Sequence, residues 1–81
     1  MWMIDTDRKQ SVRSTQLYLT VSEARELRLK LDHLLADPEA NEHCHVLSTD
    51  FSREISCSVV TPQKLAHGSY TRLERSVLDE G

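Results

Sequence analysis

Thr20-Val21-Ser22-Glu23-Ala24-Arg25-Glu26-Leu27, continued as Arg28-Leu29-Lys30-Leu31-Asp32-His33-Leu34-Leu35-Ala36 and closed by Asp37-Pro38, is the stretch whose reading decides the fold. Its first four residues fit a capping box: the Thr20 hydroxyl meets the amide three residues on, and the Glu23 carboxylate reaches back. Apolar residues then recur at Val21, Ala24, Leu27, Leu31, Leu34 and Leu35, the spacing of a helix with one buried stripe. Glu26 and Lys30 stand one turn apart in the favourable order. The residue before a proline is pushed out of helical space, so Asp37-Pro38 ends the element. A helix from Val21 to Ala36 is therefore expected. Leu29 breaks the stripe, because at ~100° per residue it falls on the opposite side; it is either covered by a second element or exposed.

Working outward, Ser14 to Thr20 alternates, with Leu17 and Leu19 on one face and Gln16 and Tyr18 on the other, as a half-buried strand does. Beyond the helix, Glu42–Ser48 and Glu54–Val60 read as two strands. A four-residue connection, Thr49 to Ser52, sets Cys44 opposite Cys57, and a two-residue one at Phe51-Ser52 sets Cys44 opposite Val59. Either keeps Cys44, Val46, Ile55, Cys57 and Val59 on one face. The former is preferred because Phe51-Ser52 lacks the Asn-Gly or Gly character of two-residue hairpins. Thr61-Pro62 suits a helix start and Gly68 a helix stop. Ser69 is taken as the cap of a last helix with a Tyr70, Leu73, Val77, Leu78 stripe. Residues 1–13 form a tail or a short edge strand, and 14–81 form one domain. The expected fold is α+β: a two-layer sandwich, β-α-β-β-α, with a small mixed sheet and an optional extra N-terminal edge strand. The first strand is expected parallel to the second, with the helix stripe and one sheet face forming a single core.

Bulk properties bound the function. With 81 residues the core is small, so partner binding or self-association is a natural supplement. Hydrophobic residues make up 38% and charged residues 28%, which places the chain among globular sequences rather than disordered ones. The net charge of -3 lacks the basic stripe that nucleic-acid binding needs, and Arg8, Lys9 and Arg13 are read as solubilising. No segment has the run of about 20 apolar residues required of a membrane span. Met1-Trp2-Met3-Ile4 is too short for a secretory signal and is followed by Asp5 and Asp7. A cytoplasmic location is expected.

Few residues suggest chemistry. His43 and His45 share a strand face and can meet a metal together, but a stable zinc site takes three or four ligands and Cys44 points the other way. A small metal-binding protein using His43 and His45 is the alternative reading. Cys44 and Cys57 are read as free core thiols. Cys44 or Ser56 can be listed with His45 as a nucleophile and base, but nothing in the sequence orients them. The only glycines are Gly68 and Gly81, too few for a phosphate loop. No enzymatic activity and no cofactor are expected.

Binding remains. The open sheet face is expected to carry Gln16, Tyr18, His43, His45, Leu47, Ser56, Ser58 and Val60. Trp2 joins it if the N-terminus folds back. Trp2, Tyr18, Leu29, His43, His45 and Leu47 are the candidate contact residues for a protein partner or a second copy.

The run from Leu19-Thr20-Val21-Ser22-Glu23-Ala24 to Leu34-Leu35-Ala36-Asp37-Pro38, followed by His43-Cys44-His45-Val46, resembles small uncharacterised bacterial α+β proteins. Some of these are grouped with predicted immunity proteins of polymorphic toxin systems. The resemblance covers the middle of the chain and implies a cytoplasmic protein that neutralises a toxin by surface binding, without catalysis. It carries no functional residues onto positions here. The function expected is a non-enzymatic protein-interaction module, either a homodimer or an immunity-type inhibitor.

Overall fold

Thr20 begins the central element as the sequence requires. Its hydroxyl accepts the Glu23 amide at 3.1 Å, and Glu23 Oε1 accepts the Thr20 amide at 2.9 Å. The helix that follows, α1, spans Val21–Ala36 in a computed structural model that describes residues 1–80. Asp37 leaves helical space with φ -150° and ψ 81°, as expected ahead of Pro38. The orphan carbonyl of His33 is met by the Asn41 side-chain amide at 2.8 Å.

The fold is α+β. Two short strands, β1 (Ile4–Asp5) and β2 (Gln10–Ser11), precede α1; β3 (Cys44–Leu47) and β4 (Glu54–Cys57) follow it, and the helices α2 (Pro62–His67) and α3 (Arg72–Leu78) complete the order. The strands form two separate two-stranded antiparallel sheets, β1-β2 and β3-β4. The chain divides into two compact units: Tyr18–His67, and the N-terminal residues through Leu17 together with the segment from Gly68 onward.

In Tyr18–His67, the hairpin has the expected register: Cys44 faces Cys57, His45 faces Ser56, Val46 faces Ile55 and Leu47 faces Glu54. Its tip is a small hydrogen-bonded structure. Asp50 Oδ1 accepts from the Ser48 hydroxyl at 2.7 Å, the Ser52 hydroxyl at 2.7 Å and the Ser52 amide at 3.0 Å. These bonds hold its carboxyl far below the ordinary carboxylate range. Phe51 sits at φ 61°, a left-handed conformation that costs a side-chain-bearing residue roughly 1–2 kcal/mol. Leu34 of α1 is fully buried and Val46 of β3 nearly so, and full burial of such side chains stabilises by about 1.5–3 kcal/mol each. Thr61 caps α2 by accepting the Lys64 amide at 3.1 Å. The Lys64 ammonium then donates to the carbonyls of Asn41, at 2.7 Å, and Val59, at 3.1 Å, tying together the two open ends of the hairpin.

The second unit has its own hairpin, Ile4 opposite Ser11 and Asp5 opposite Gln10. Asp5 Oδ1 accepts the amides of Asp7 and Arg8, both at 3.1 Å, and Lys9 takes φ 57° to close the turn. Here α3 carries a second capping box, Thr71 with Glu74, and buries Val77.

Three expectations are corrected. Ser14 to Thr20 joins no ladder, so the mixed sheet and its parallel strand are absent among the described residues. Part of the reason lies at β3, where the His45 carbonyl on its outer edge accepts from the Lys30 ammonium of α1. Just beyond the strand, the Thr49 amide donates to Glu23 Oε2 at 2.9 Å. Secondly, residues 1–13 are neither a tail nor a single edge strand of the main sheet, since residues 4–11 pair with one another as a hairpin of their own. Thirdly, the last helix is capped by Thr71, not Ser69. The single core is also narrower than its stripe suggested, since Leu17, Leu19, Val21 and Leu35 are exposed.

Candidate functional site

The surface of Tyr18–His67 is set by how much of α1 its own hairpin covers. Alternation along β3 and β4 turns Cys44, Val46, Ile55 and Cys57 inward and His45, Leu47, Glu54 and Ser56 outward. Leu34 is fully covered, while Leu35, its neighbour in the stripe, is 61% exposed. A shallow apolar groove results, formed by Leu19 before the helix and by Ala24, Leu27, Leu31 and Leu35 along it. Arg28 and Asp32, one turn apart and opposite in charge, also line it.

A second, more polar groove runs between the other flank of α1 and the hairpin. Ser22, Glu26 and Lys30 line it from the helix, and His45, Leu47 and Phe51 from the hairpin. Lys30 is paired with Glu26 at 3.0 Å, the pair read from their spacing. Glu23 anchors the hairpin tip, its Oε2 accepting the Thr49 amide and, at 3.2 Å, the Thr49 hydroxyl. The Thr20 amide first, and then the Thr49 amide, hold its carboxyl below the ordinary value.

On the outer hairpin face, His45 Nδ1 lies 2.6 Å from Glu54 Oε1 and 2.8 Å from Ser56 Oγ. The Ser56 hydroxyl also donates to Glu54 Oε1 at 3.1 Å. Hydrogen bonds from His45 and then Ser56 hold the Glu54 carboxyl below its ordinary value. Serine and carboxylate share one ring nitrogen, whereas a nucleophilic triad needs them on opposite nitrogens. The cluster knits the hairpin face together and lacks the arrangement of such a triad. His43 stacks edge-to-face on His45, with centroids 4.7 Å apart. Among the described residues, no group of three or more His, Cys, Asp or Glu is arranged to hold a metal ion.

The residues proposed from sequence fall in different places. His43 and His45 meet as expected, and Leu47 joins the groove that also contains Phe51. Tyr18, 87% exposed, is on no sheet face, since its segment forms no strand; the same correction applies to Gln16. Leu29 is exposed on the outer side of α1. Trp2 belongs to the other unit, where it is half-buried with its indole Nε1 buried and lacking a hydrogen-bond partner. Phe51, 77% exposed at the hairpin tip, was missed, as was the groove around Leu35. An aromatic residue inside a four-residue hairpin loop was the available signal for Phe51. No sequence signal marks how far the hairpin reaches over the stripe.

No helix of the described residues is long and apolar enough to cross a membrane. Comparison with protein-family models, curated proteins and solved structures finds no match to this chain.

Proposed function

We propose that this chain is a non-enzymatic protein-interaction module of the cytoplasm that self-associates through the uncovered side of α1. The observation that carries the reading is the apolar groove of Leu19, Ala24, Leu27, Leu31 and Leu35. An amphipathic stripe whose outer half stays uncovered favours contact with another apolar surface. A second copy fits because the flanking charges are self-complementary. When two α1 helices cross antiparallel about a two-fold axis, Arg28 of each copy comes beside Asp32 of the other. Those two residues lie near the middle of the stripe, so leucines and charges align in one register. The resemblance to immunity-type proteins supports the same general class, action by surface contact without catalysis.

Light scattering coupled to size-exclusion chromatography tests the reading. The wild type is expected to elute as a dimer, and Leu35→Glu as a folded monomer, since Leu35 is already largely exposed. A wild type that stays monomeric at high micromolar concentration overturns self-association, including the case in which the groove serves a different protein.

A further inference from the structure

Cys44 and Cys57 are free thiols, directly opposed across β3 and β4 on the inward face of the hairpin. The Ser48 amide donates to the Arg53 carbonyl at 2.9 Å, which makes that pair a hydrogen-bonded one. Pairs alternate along an antiparallel ladder, so Val46 with Ile55 and Cys44 with Cys57 are hydrogen-bonded pairs too. Such pairs hold their Cα atoms about 5.5 Å apart, inside the roughly 4.4–6.8 Å that disulfides span, and closure draws the Cβ atoms in to the about 3.5–4.5 Å that the bond needs. Both side chains lie on the same face of the ladder, and both residues are half-buried rather than fully enclosed. We propose that Cys44 and Cys57 form a dithiol site that closes into an intrachain disulfide on reaction with low-molecular-weight disulfides of the glutathione class.

The chemistry balances without any further reagent. One cysteine, as thiolate, attacks a sulfur of RSSR; a protein–SR bond forms, the S–S bond of the reagent breaks, and RS⁻ leaves. The other cysteine, as thiolate, attacks the protein-side sulfur of that mixed disulfide and expels the second RS⁻. Two protein thiols are oxidised, RSSR is reduced to two RSH, and the cysteine protons end on the departing thiolates. Burial, with Cys44 adjoining, pushes the Cys57 thiol above its ordinary value, so closure is slow at neutral pH and accelerates as pH rises. The product closes the loop from Cys44 to Cys57 and fixes the register of the strand beside which α1 packs.

The test is intact-mass spectrometry of the full chain after incubation with oxidised glutathione and acid quench, with non-reducing gels in parallel. The wild type is expected to lose two hydrogens, to carry no glutathione and to remain monomeric on the gel. Cys44→Ser and Cys57→Ser are each expected to accumulate one persistent glutathione adduct, because no second thiol displaces it. Thermal unfolding of the oxidised wild type is expected at a higher temperature than the reduced form, a comparison that requires no variant to fold. The proposal is overturned if the wild type accumulates glutathione adducts, forms interchain disulfides, or keeps both thiols at oxidant levels that modify the single variants. A lower unfolding temperature for the oxidised chain also overturns it, because the native register then does not accommodate the bond.

Discussion

Truncating Leu34 to alanine tests how Tyr18–His67 holds together. Leu34 is the only large side chain among the described residues with no exposure at all. Leu→Ala in such a place costs roughly 2–5 kcal/mol, the sum of lost transfer energy and the cavity left behind. So small a unit relaxes around a cavity more readily than a deep core does, so the lower half of that range applies. A unit of this size has about 3–8 kcal/mol to lose, at roughly 0.05–0.15 kcal/mol per residue. Leu34→Ala therefore leaves it marginal or unfolded at 37 °C. Leu29→Ala is the control. It lies on the same helix, involves the same change of side chain, and is 64% exposed, so its effect stays within about 0.5 kcal/mol. Urea unfolding followed by far-ultraviolet circular dichroism reads both. With a slope near 1 kcal/mol/M for so small a unit, the Leu34→Ala midpoint drops by about 2–3 M. Equal losses for Leu29→Ala and Leu34→Ala, or a larger loss for Leu29→Ala, would falsify the assignment of the buried face.

Removing either cap, by Thr20→Ala or Thr71→Ala, is expected to cost about 1 kcal/mol, seen as a lower unfolding midpoint; no change in either variant contradicts the capping geometry. Glu23, Glu54 and Asp50 all have folded-state values below their ordinary ones of 4.5, 4.5 and 3.8. Their contribution is therefore present above those ordinary values and is lost as pH falls through the lower folded-state ones. Urea midpoints are expected to fall steadily below pH 4.5, and Glu23→Gln to show a shallower fall; a chain that gains stability on acidification refutes this. Phe51→Gly is expected to keep or raise stability by up to about 1 kcal/mol, because relief of the left-handed strain outweighs the entropy glycine adds to the unfolded chain. Destabilisation of more than that reveals packing by the Phe51 ring.

What was legible in the sequence was local. Thr20, Glu23 and Pro38 encode both ends of α1 through hydrogen-bond and steric rules acting within a few residues. The preference for a four-residue Thr49–Ser52 loop, since Phe51-Ser52 lacks the residues of a two-residue turn, places Cys44 opposite Cys57. The capping box Thr71-Arg72-Leu73-Glu74 was equally legible and was passed over for Ser69. What failed was long-range. The alternation of Leu17 and Leu19 favours a strand only if a sheet edge is open to receive it. At the outer edge of β3 the His45 carbonyl is met instead by Lys30 of α1, a competition that periodicity does not record. The same holds for the site. The adjacency of His43 and His45 follows from strand alternation, while the groove depends on the hairpin stopping short of Leu35.

Self-association through the uncovered side of α1 is tested most directly by light scattering on charge-reversed variants. Wild type is expected to be dimeric, and Arg28→Asp and Asp32→Arg each monomeric, since each reversal places like charges together at both ends of the two-fold contact. Mixing the two variants restores complementary pairs and is expected to restore the dimer. A monomeric wild type, or a dimer indifferent to both reversals, contradicts the account.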